Sequence, residues 1–187
     1  MIETERLIIR LPQPADVPEI VRYYTDNRDF FQPVSPTFVD DMFDPKAWLE
    51  QVRIRDVEFT AGDAMRAFIF TRPDPSRIVG NISLTQVIRG ALQSCVVGYN
   101  LAEDQQHMGY MTEAVHAVVE FAFHTWNLHS VRAGYMPRNT ASAAVLARCG
   151  FAIEGQASAY LLINGRWEDH VLVGITNPVW AAPQAAS

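Results

Sequence analysis

The stretch that decides the fold reads VVGYNLAEDQQHMGYM and covers residues 96–111. Its first six residues have the composition of a strand, and the segment after Gly109 has the pattern of a helix. A helix N-terminus presents several unpaired amide N–H groups together with the positive end of the helix dipole. Gly109 lets the backbone approach an oxyanion closely, and the Gln106 amide can close the turn before it. The stretch therefore predicts an anion-binding turn between a strand and a helix.

Regular elements extend from this turn towards both ends of the chain. The apolar residues after it recur at helical spacing and share one face: Met111, Val115, Val118, Val119 and Ala122. Alternation and turn residues predict a strand over 129–135, a short helix over 139–148, and a hairpin of 151–163 with 167–176 across Asn164-Gly165. Before the turn, they predict an antiparallel meander of strands over 67–71, 77–88 and 94–101.

The first third of the chain predicts a strand over 6–11, a helix that begins at Asp16, an irregular loop over 27–41 and a second helix over 45–59. The buried face of that second helix is expected to include Trp48, Leu49, Val52 and Val57. Strands joined through a helix are parallel neighbours, whereas the meander and the hairpin are antiparallel. The predicted fold class is therefore α/β, in its α+β form, with a mixed, curved sheet and flanking helices.

Length and composition limit the function classes. A chain of 187 residues, of which 49% are apolar, can bury one core, and we expect a single domain over 1–180 with a flexible tail over 181–187. Neither a secretion signal nor an apolar run of membrane length is visible, so we expect a cytoplasmic protein without a membrane partner.

The net charge of −6 is dispersed and gives no indication of direct nucleic-acid binding. Cys95 and Cys149 lie in apolar settings, which favours buried free thiols over a disulfide or a metal site.

A second motif lies downstream of the anion-binding turn. A strand ends near Tyr135, Asn139-x-x-Ser142 begins a helix, and Gly150-Phe151 follows that helix. Together with Gln106-x-x-Gly109 and Glu113-Ala114, this motif resembles the coenzyme A motifs of the GNAT acetyltransferases. Further details, among them Val87-Ile88-Arg89-Gly90 and the segment 160–172, are similar to the RimJ/RimL type and closest to its RimJ branch, the ribosomal-protein alanine N-acetyltransferases.

The resemblance implies acetyl-CoA as cofactor, no metal, and a set of binding residues. The strand that ends in Tyr99, Asn100 and Leu101 would splay from its parallel neighbour and bind the thioester and pantetheine, with an oxyanion donor N–H near Asn100. Backbone amides from 106 to 112 would hold the pyrophosphate, and these are the amides of Gln106, His107, Met108, Gly109, Tyr110, Met111 and Thr112. Asn139 would bond to the pantetheine arm, and Ser142 would lie near the sulfur.

Catalytic roles are harder to assign. Many GNAT enzymes carry a tyrosine acid where this chain has Leu146, so Ser142 is the candidate acid, with helix capping as the alternative. Glu113 is the candidate base, with pairing to the helix dipole as the alternative. Asp169 and His170 alternate along a strand, so only one of them can face the site, and we expect a structural role for either. Phe30, Phe31 and Arg89 are the candidate acceptor-binding residues.

The expected reaction is direct transfer of an acetyl group to an amine. An α-amine of pKa about 8 is partly neutral at physiological pH, whereas freeing a lysine of pKa about 10.4 costs roughly 3 kcal/mol more. This favours a protein N-terminus as acceptor, and the resemblance points to a ribosomal protein. The alternatives are a small amine as acceptor, or a non-catalytic acyl-CoA-binding regulator. A monomer and a homodimer both remain open.

Overall fold

The computed structural model describes residues 1–182. Of the tail expected at 181–187, residues 183–187 lie outside the described part of the chain. The elements follow in chain order: β1 Ile2–Glu3, β2 Leu7–Arg10, α1 Val17–Asp26, α2 Arg28–Phe31, α3 Pro45–Ala61, β3 Met65–Thr71, β4 Ile78–Ile88, β5 Ser94–Leu101, α4 Tyr110–His124, β6 Ser130–Tyr135, α5 Thr140–Arg148, β7 Ala152–Ile163 and β8 Arg166–Thr176.

The strands form one mixed sheet with the order β1-β2-β3-β4-β5-β6-β8-β7. The predicted meander is confirmed, because β3, β4 and β5 pair as antiparallel neighbours. The C-terminal hairpin is confirmed as well, since β7 and β8 pair across the Asn164-Gly165 turn. Strands β5 and β6 pair in parallel, as the helical connection between them requires.

The parallel strands β5 and β6 separate after a short hydrogen-bonded segment. Only Ser94 to Val96 of β5 pair with Ser130 to Arg132 of β6, although β5 continues to Leu101 and β6 to Tyr135. The second half of β5 still pairs with β4 on its other side. A wedge-shaped gap therefore opens between β5 and β6 at their C-terminal ends, and this confirms the predicted splay.

Helix α4 packs on one face of the sheet. The residues predicted for its apolar face are all buried: Met111, Val115, Val118, Val119 and Ala122. They share a core with the odd-numbered residues of β3, such as Ala67 and Ile69. Because successive strand residues face opposite sides, the even-numbered Phe68 and Phe70 join a second core on the other face.

Helices α1 and α3 cover that second face, where Tyr23, Tyr24 and Trp48 surround Phe68. Of the four residues predicted for the buried face of α3, two are buried and two are exposed. Trp48 and Val52 are buried, but Leu49 and Val57 are 50% and 61% exposed, because the inward direction of α3 passes through Arg55 instead. Arg55 stacks its guanidinium over Trp48 and Phe68.

The segment 27–41, expected as an irregular loop, contains the short helix α2 and two 3₁₀ turns. Asn27 anchors it, because its side chain donates to the Tyr23 carbonyl at 2.9 Å and accepts from the Glu103 N–H at 2.9 Å. Phe31 follows and is buried against Tyr23. Among residues 1–182, none of the helices combines the length and the apolar character that a membrane crossing needs.

Candidate active site

The turn before α4 has the geometry of an anion cradle. Gly109 is the N-cap of the helix and adopts a left-handed conformation with φ of 77°. The Gln106 side chain donates to the carbonyls of Leu101 and Ala102 at 3.0 and 3.3 Å, so it closes the turn as expected. The first amides of α4 therefore point out of the turn with the positive end of the helix dipole behind them.

Arg6 holds this cradle from the outside. Its guanidinium donates to the Met108 carbonyl at 2.8 Å and to the Glu113 carboxylate at 2.7 Å, and it lies over the Tyr110 ring. A Cβ atom at Gly109 would approach its Nη2 to 3.4 Å. The turn is thus fixed by the N-terminal segment, which lies about a hundred residues away in sequence.

Glu113 serves this anchor and does not line the gap between β5 and β6. One carboxylate oxygen accepts from the Thr4 hydroxyl at 2.5 Å and from the Arg6 N–H at 3.0 Å, while the other accepts from the Arg6 side chain. Partial burial pushes the pKa of Glu113 upward, but these hydrogen bonds and the charge of Arg6 outweigh it and hold the pKa below its usual value. A carboxylate held in this way is a poor proton acceptor, and we therefore withdraw Glu113 as the candidate base.

The contacts of Glu113 with Thr4 and Arg6 should make the stability of the protein depend on pH in the acidic range. Because the pKa of Glu113 is lowered in the folded state, its contribution to stability is present above the unfolded pKa and is lost as pH falls through the folded value. Replacing it (Glu113→Gln) should therefore lower the urea midpoint at pH 7, and the difference from the unchanged protein should shrink between pH 5 and pH 3. A difference that stays constant down to pH 3 would contradict the ionised anchor.

The gap between β5 and β6 contains unpaired backbone donors. The Ala102 N–H donates to the Val79 carbonyl at 2.8 Å and so points towards β4. Consecutive strand residues direct their N–H groups to opposite sides, which turns those of Tyr99 and Leu101 into the gap. The expected donor near Asn100 is thereby refined to these two neighbours.

A cavity of about 620 Å³ occupies the gap. Its walls include most of the residues predicted for the thioester, the pantetheine arm and the acceptor, together with two residues of the predicted pyrophosphate turn. The first group is Phe30, Phe31, Tyr99, Asn100, Leu101, Asn139 and Ser142, and the second is Gln106 and Met111. A second cavity, between the start of α4 and α5, is lined by predicted residues of the turn and the first turn of α4: Gln106, His107, Gly109, Met111, Thr112 and Glu113. Met108 and Tyr110 line neither cavity, so only their backbone can take part.

Ser142 and Tyr99 form a pair inside the first cavity. Asn139 caps α5 by accepting from the Ser142 N–H at 3.1 Å, and the Ser142 hydroxyl lies 2.9 Å from the Tyr99 hydroxyl. Burial raises the pKa of Tyr99 to about 12 despite this hydrogen bond, so the phenol keeps its proton at neutral pH. The sequence indicated only the backbone of Tyr99, and its hydroxyl is the acid candidate that sequence reasoning missed.

The other side of the cavity is covered by two segments that contact each other, and we call this contact the roof. The carbonyl of Ser35, which follows α2, accepts from the N–H of Asn164 at the hairpin tip at 3.1 Å. Arg138, which also lines the cavity, forms a two-pronged ion pair with Glu168 at 2.6 and 3.0 Å. The predicted wall residue Phe30 is 38% exposed beside this roof. Arg138, Leu161, Ile163 and His170 also line the cavity and were not predicted.

Arg89 lies elsewhere. It follows β4, and its side chain donates to the Trp126 carbonyl at 2.6 Å. Strand β5 has eight residues, which separates the turn near Arg89 from Leu101 by about 20 Å. We therefore withdraw Arg89 from the acceptor site, because it lines none of the cavities described above.

The alternation of Asp169 and His170 is confirmed. Asp169 accepts from the Ala159 N–H on β7 at 2.8 Å, while His170 is buried with its ring on the cavity wall. Cys95 and Cys149 are both buried free thiols, as expected.

Comparisons with known proteins agree with this geometry. Residues 6–152 match the family model of the acetyltransferase (GNAT) domain. The chain is 35% identical to the [ribosomal protein uS5]-alanine N-acetyltransferase of Escherichia coli, over 96% of this chain and 92% of that protein. Among solved structures, the ribosomal-protein-S5-alanine acetyltransferase of Vibrio fischeri superposes with a TM-score of 0.91 and 33% identity, covering 96% of this chain and 98% of that one.

A structure of Mycobacterium smegmatis RimJ in complex with CoA-disulfide superposes with a TM-score of 0.84 and 28% identity, over 91% of this chain and 81% of that one. The family match covers most of the chain, and the cradle, the splayed strands and the capped helix α5 lie where the coenzyme motifs indicated. The chain therefore belongs to the GNAT family of acetyl-CoA-dependent N-acetyltransferases.

Proposed function

We propose that this enzyme transfers an acetyl group from acetyl-CoA to the N-terminal α-amine of a protein, with a ribosomal protein as the acceptor. The observation that carries the proposal is the cavity between β5 and β6. It joins the predicted coenzyme residues Tyr99, Asn139 and Ser142 to the roofed wall of Phe30 and Phe31. We also propose one catalytic domain over residues 1–180, which the continuous sheet from β1 to β8 supports.

The residues present fit acetyl-CoA. The cradle at Gly109 offers free amides to a pyrophosphate without a side chain in the way. The gap beyond Val96 leaves one edge of β5 open to an amide-bearing arm that can lie along it like an added strand. The Asn139 oxygen is used by the helix cap, so its amide nitrogen is the group left for the arm. When bound, acetyl-CoA supplies the activated acetyl group.

The roofed acceptor side favours a chain end. The contact between Ser35 and Asn164 joins the segment after α2 to the hairpin tip, and Ser35 and Ile163 from these segments line the cavity. A slender chain terminus enters a cavity walled in this way more readily than a folded surface. The lower pKa of an α-amine, about 8 against about 10.4 for lysine, makes the neutral nucleophile more available. The relatives in Escherichia coli and Vibrio fischeri are described as alanine acetyltransferases of a ribosomal protein, which supports an acceptor of the same class. Ribosomal proteins are made in the cytoplasm, and we propose this location for the enzyme.

In this proposal the chain contributes two kinds of group to the chemistry. The N–H groups of Tyr99 and Leu101 stabilise the negative charge that develops on the thioester oxygen. The Tyr99–Ser142 hydroxyl pair gives a proton to the departing thiolate, and the raised pKa of Tyr99 keeps that proton available.

The test is acetyl transfer measured as release of free thiol. The purified protein receives acetyl-CoA with peptides that begin with alanine or serine, the same peptides with a blocked N-terminus and an internal lysine, and small amines such as spermidine. We expect release only with free N-termini. Release confined to small amines would overturn the proposed acceptor, and tight coenzyme binding without release from any amine would overturn the proposed activity.

A further inference from the structure

His170 is a buried titratable residue of the cavity for which the reaction described so far has no use. It lies on β8 opposite Ala157 of β7, is 4% exposed and lines the cavity together with Ser142 and Leu161. Gly134 of β6 faces the ring, and a Cβ atom there would lie at ordinary contact distance, 3.7 Å, from the Cδ2 atom of His170. The sheet therefore places an imidazole at the acceptor side of the gap.

The hydrogen bonding of this ring fixes its tautomer. Nδ1 lies 3.0 Å from the carbonyl oxygen of Glu168. A carbonyl can only accept, so Nδ1 carries the proton of the neutral ring, and Nε2 holds the lone pair. Among residues 1–182, no group forms a hydrogen bond with Nε2 of His170. The side-chain nitrogens in this part of the chain that lack a partner and are also fully buried are Gln32 Nε2 and Arg55 Nε. Nε2 of His170 is not among them, so it keeps some exposed surface. A free lone pair thus remains open towards the cavity.

Few charged groups surround the ring. Tyr160 of β7 packs on it with ring centroids 5.6 Å apart. The Glu168 carboxylate on β8 is paired with Arg138 from the segment before α5. β6 contributes Gly134 at the contact with the ring, and the roof segment contributes uncharged residues to the cavity.

We propose that His170 is the general base that accepts a proton from the acceptor amine. This inference rests on the proposed function. An α-ammonium group that enters below the roof gives one proton to Nε2, and the resulting neutral nitrogen attacks the thioester carbonyl carbon. The N–C bond forms and the C–S bond breaks. The nitrogen sheds a second proton, and the Tyr99–Ser142 pair supplies one proton to the thiolate, so that one proton in total passes to solvent.

The effect of such a base depends on pH in a way that can be calculated. With a pKa of about 8, an α-amine is about one-tenth neutral at pH 7 and about one-hundredth neutral at pH 6. In an enzyme without a base, kcat/KM is proportional to this neutral fraction of the amine. An enzyme with an imidazole base remains active with the ammonium form as long as its ring is neutral.

The experiment compares kcat/KM for an alanine-starting peptide from pH 6 to pH 9.5 in the unchanged enzyme, in His170→Asn and in the control His124→Asn. Asparagine can keep the hydrogen bond to Glu168 but offers no basic nitrogen. His124 lies at the exposed end of α4 and pairs with Glu120. We expect His170→Asn to match the unchanged enzyme at pH 9.5, to be about tenfold slower at pH 7 and to lose further activity below that. The control should follow the unchanged enzyme throughout.

A purely structural His170 would lower kcat/KM by the same factor at every pH, and that result would overturn the inference. If the variant fails to fold, the profile of the unchanged enzyme decides alone: a tenfold fall in kcat/KM per pH unit directly below pH 8 excludes a base, and a plateau below pH 8 supports one. An unchanged enzyme inactive with every N-terminal peptide would instead overturn the proposed function.

Discussion

Valine in place of Gly109 should weaken acetyl-CoA binding by about 100-fold, which corresponds to about 2.7 kcal/mol. Gly109 has φ of 77° at the N-cap of α4, a conformation that a β-branched residue adopts only at a cost of roughly 1–3 kcal/mol. The new side chain would also press on Arg6, whose Nη2 lies 3.4 Å from the position of a Cβ atom. Relief of this strain moves the amides of the cradle away from the pyrophosphate. Each misplaced amide then loses a charge-assisted hydrogen bond.

The chain offers a matched control for this substitution. Gly62 ends α3 with the same φ of 77°, and a Cβ atom there would meet no atom within 4 Å. Gly62→Val should therefore lower the urea midpoint through backbone strain while leaving the dissociation constant unchanged. The measurement is isothermal calorimetry with acetyl-CoA and urea denaturation of both variants. Equal dissociation constants for Gly109→Val and the unchanged enzyme would show that the cradle does not hold the coenzyme.

Local sequence patterns were sufficient for the elements that position this site. The spacing of Met111, Val115 and Val118 predicted the buried face of α4, because one helix packed on one sheet face obeys a single period. The Asn164-Gly165 turn predicted the hairpin, since its backbone conformation is set within two residues. The splay of β5 from β6 followed from the resemblance and not from the pattern, because a strand gives no local signal of where its partner diverges.

The side-chain contacts across the site could not be predicted in this way. The ion pair that removes Glu113 as a base is not visible in the sequence around it, because its partners Thr4 and Arg6 belong to the other end of the chain. The His170 ring contacts Gly134 and Tyr160, which belong to neighbouring strands, and its own strand gives no signal of these contacts. Arg89 was a candidate for the acceptor site, but the length of β5 separates it from the gap at the other end of that strand.

Loss of the Tyr99 and Ser142 hydroxyls should reduce kcat by about 1000-fold, within the range of roughly 10²–10⁴ that general acid catalysis contributes. The two oxygens lie 2.9 Å apart, and either can donate to the other. A proton that leaves one hydroxyl is therefore replaced from the other. Because the two groups act as a unit, Tyr99→Phe and Ser142→Ala should each cost nearly as much as the double variant, in place of the product expected for independent residues.

The double-mutant cycle is measured as kcat with saturating acetyl-CoA and an alanine-starting peptide, together with the coenzyme dissociation constant. That constant should change little, because the hydroxyls act on the leaving group. Tyr24→Phe is the control, since it removes a buried phenol hydroxyl on the other face of the sheet.

The raised pKa of Tyr99, about 12, adds a second expectation: the donor stays protonated, so kcat of the unchanged enzyme should not decline between pH 8 and pH 10. If the effects of the single variants multiply, the hydroxyls act separately. If both single variants keep full kcat, the thiolate receives its proton from solvent, and the pair only joins α5 to the splayed strand.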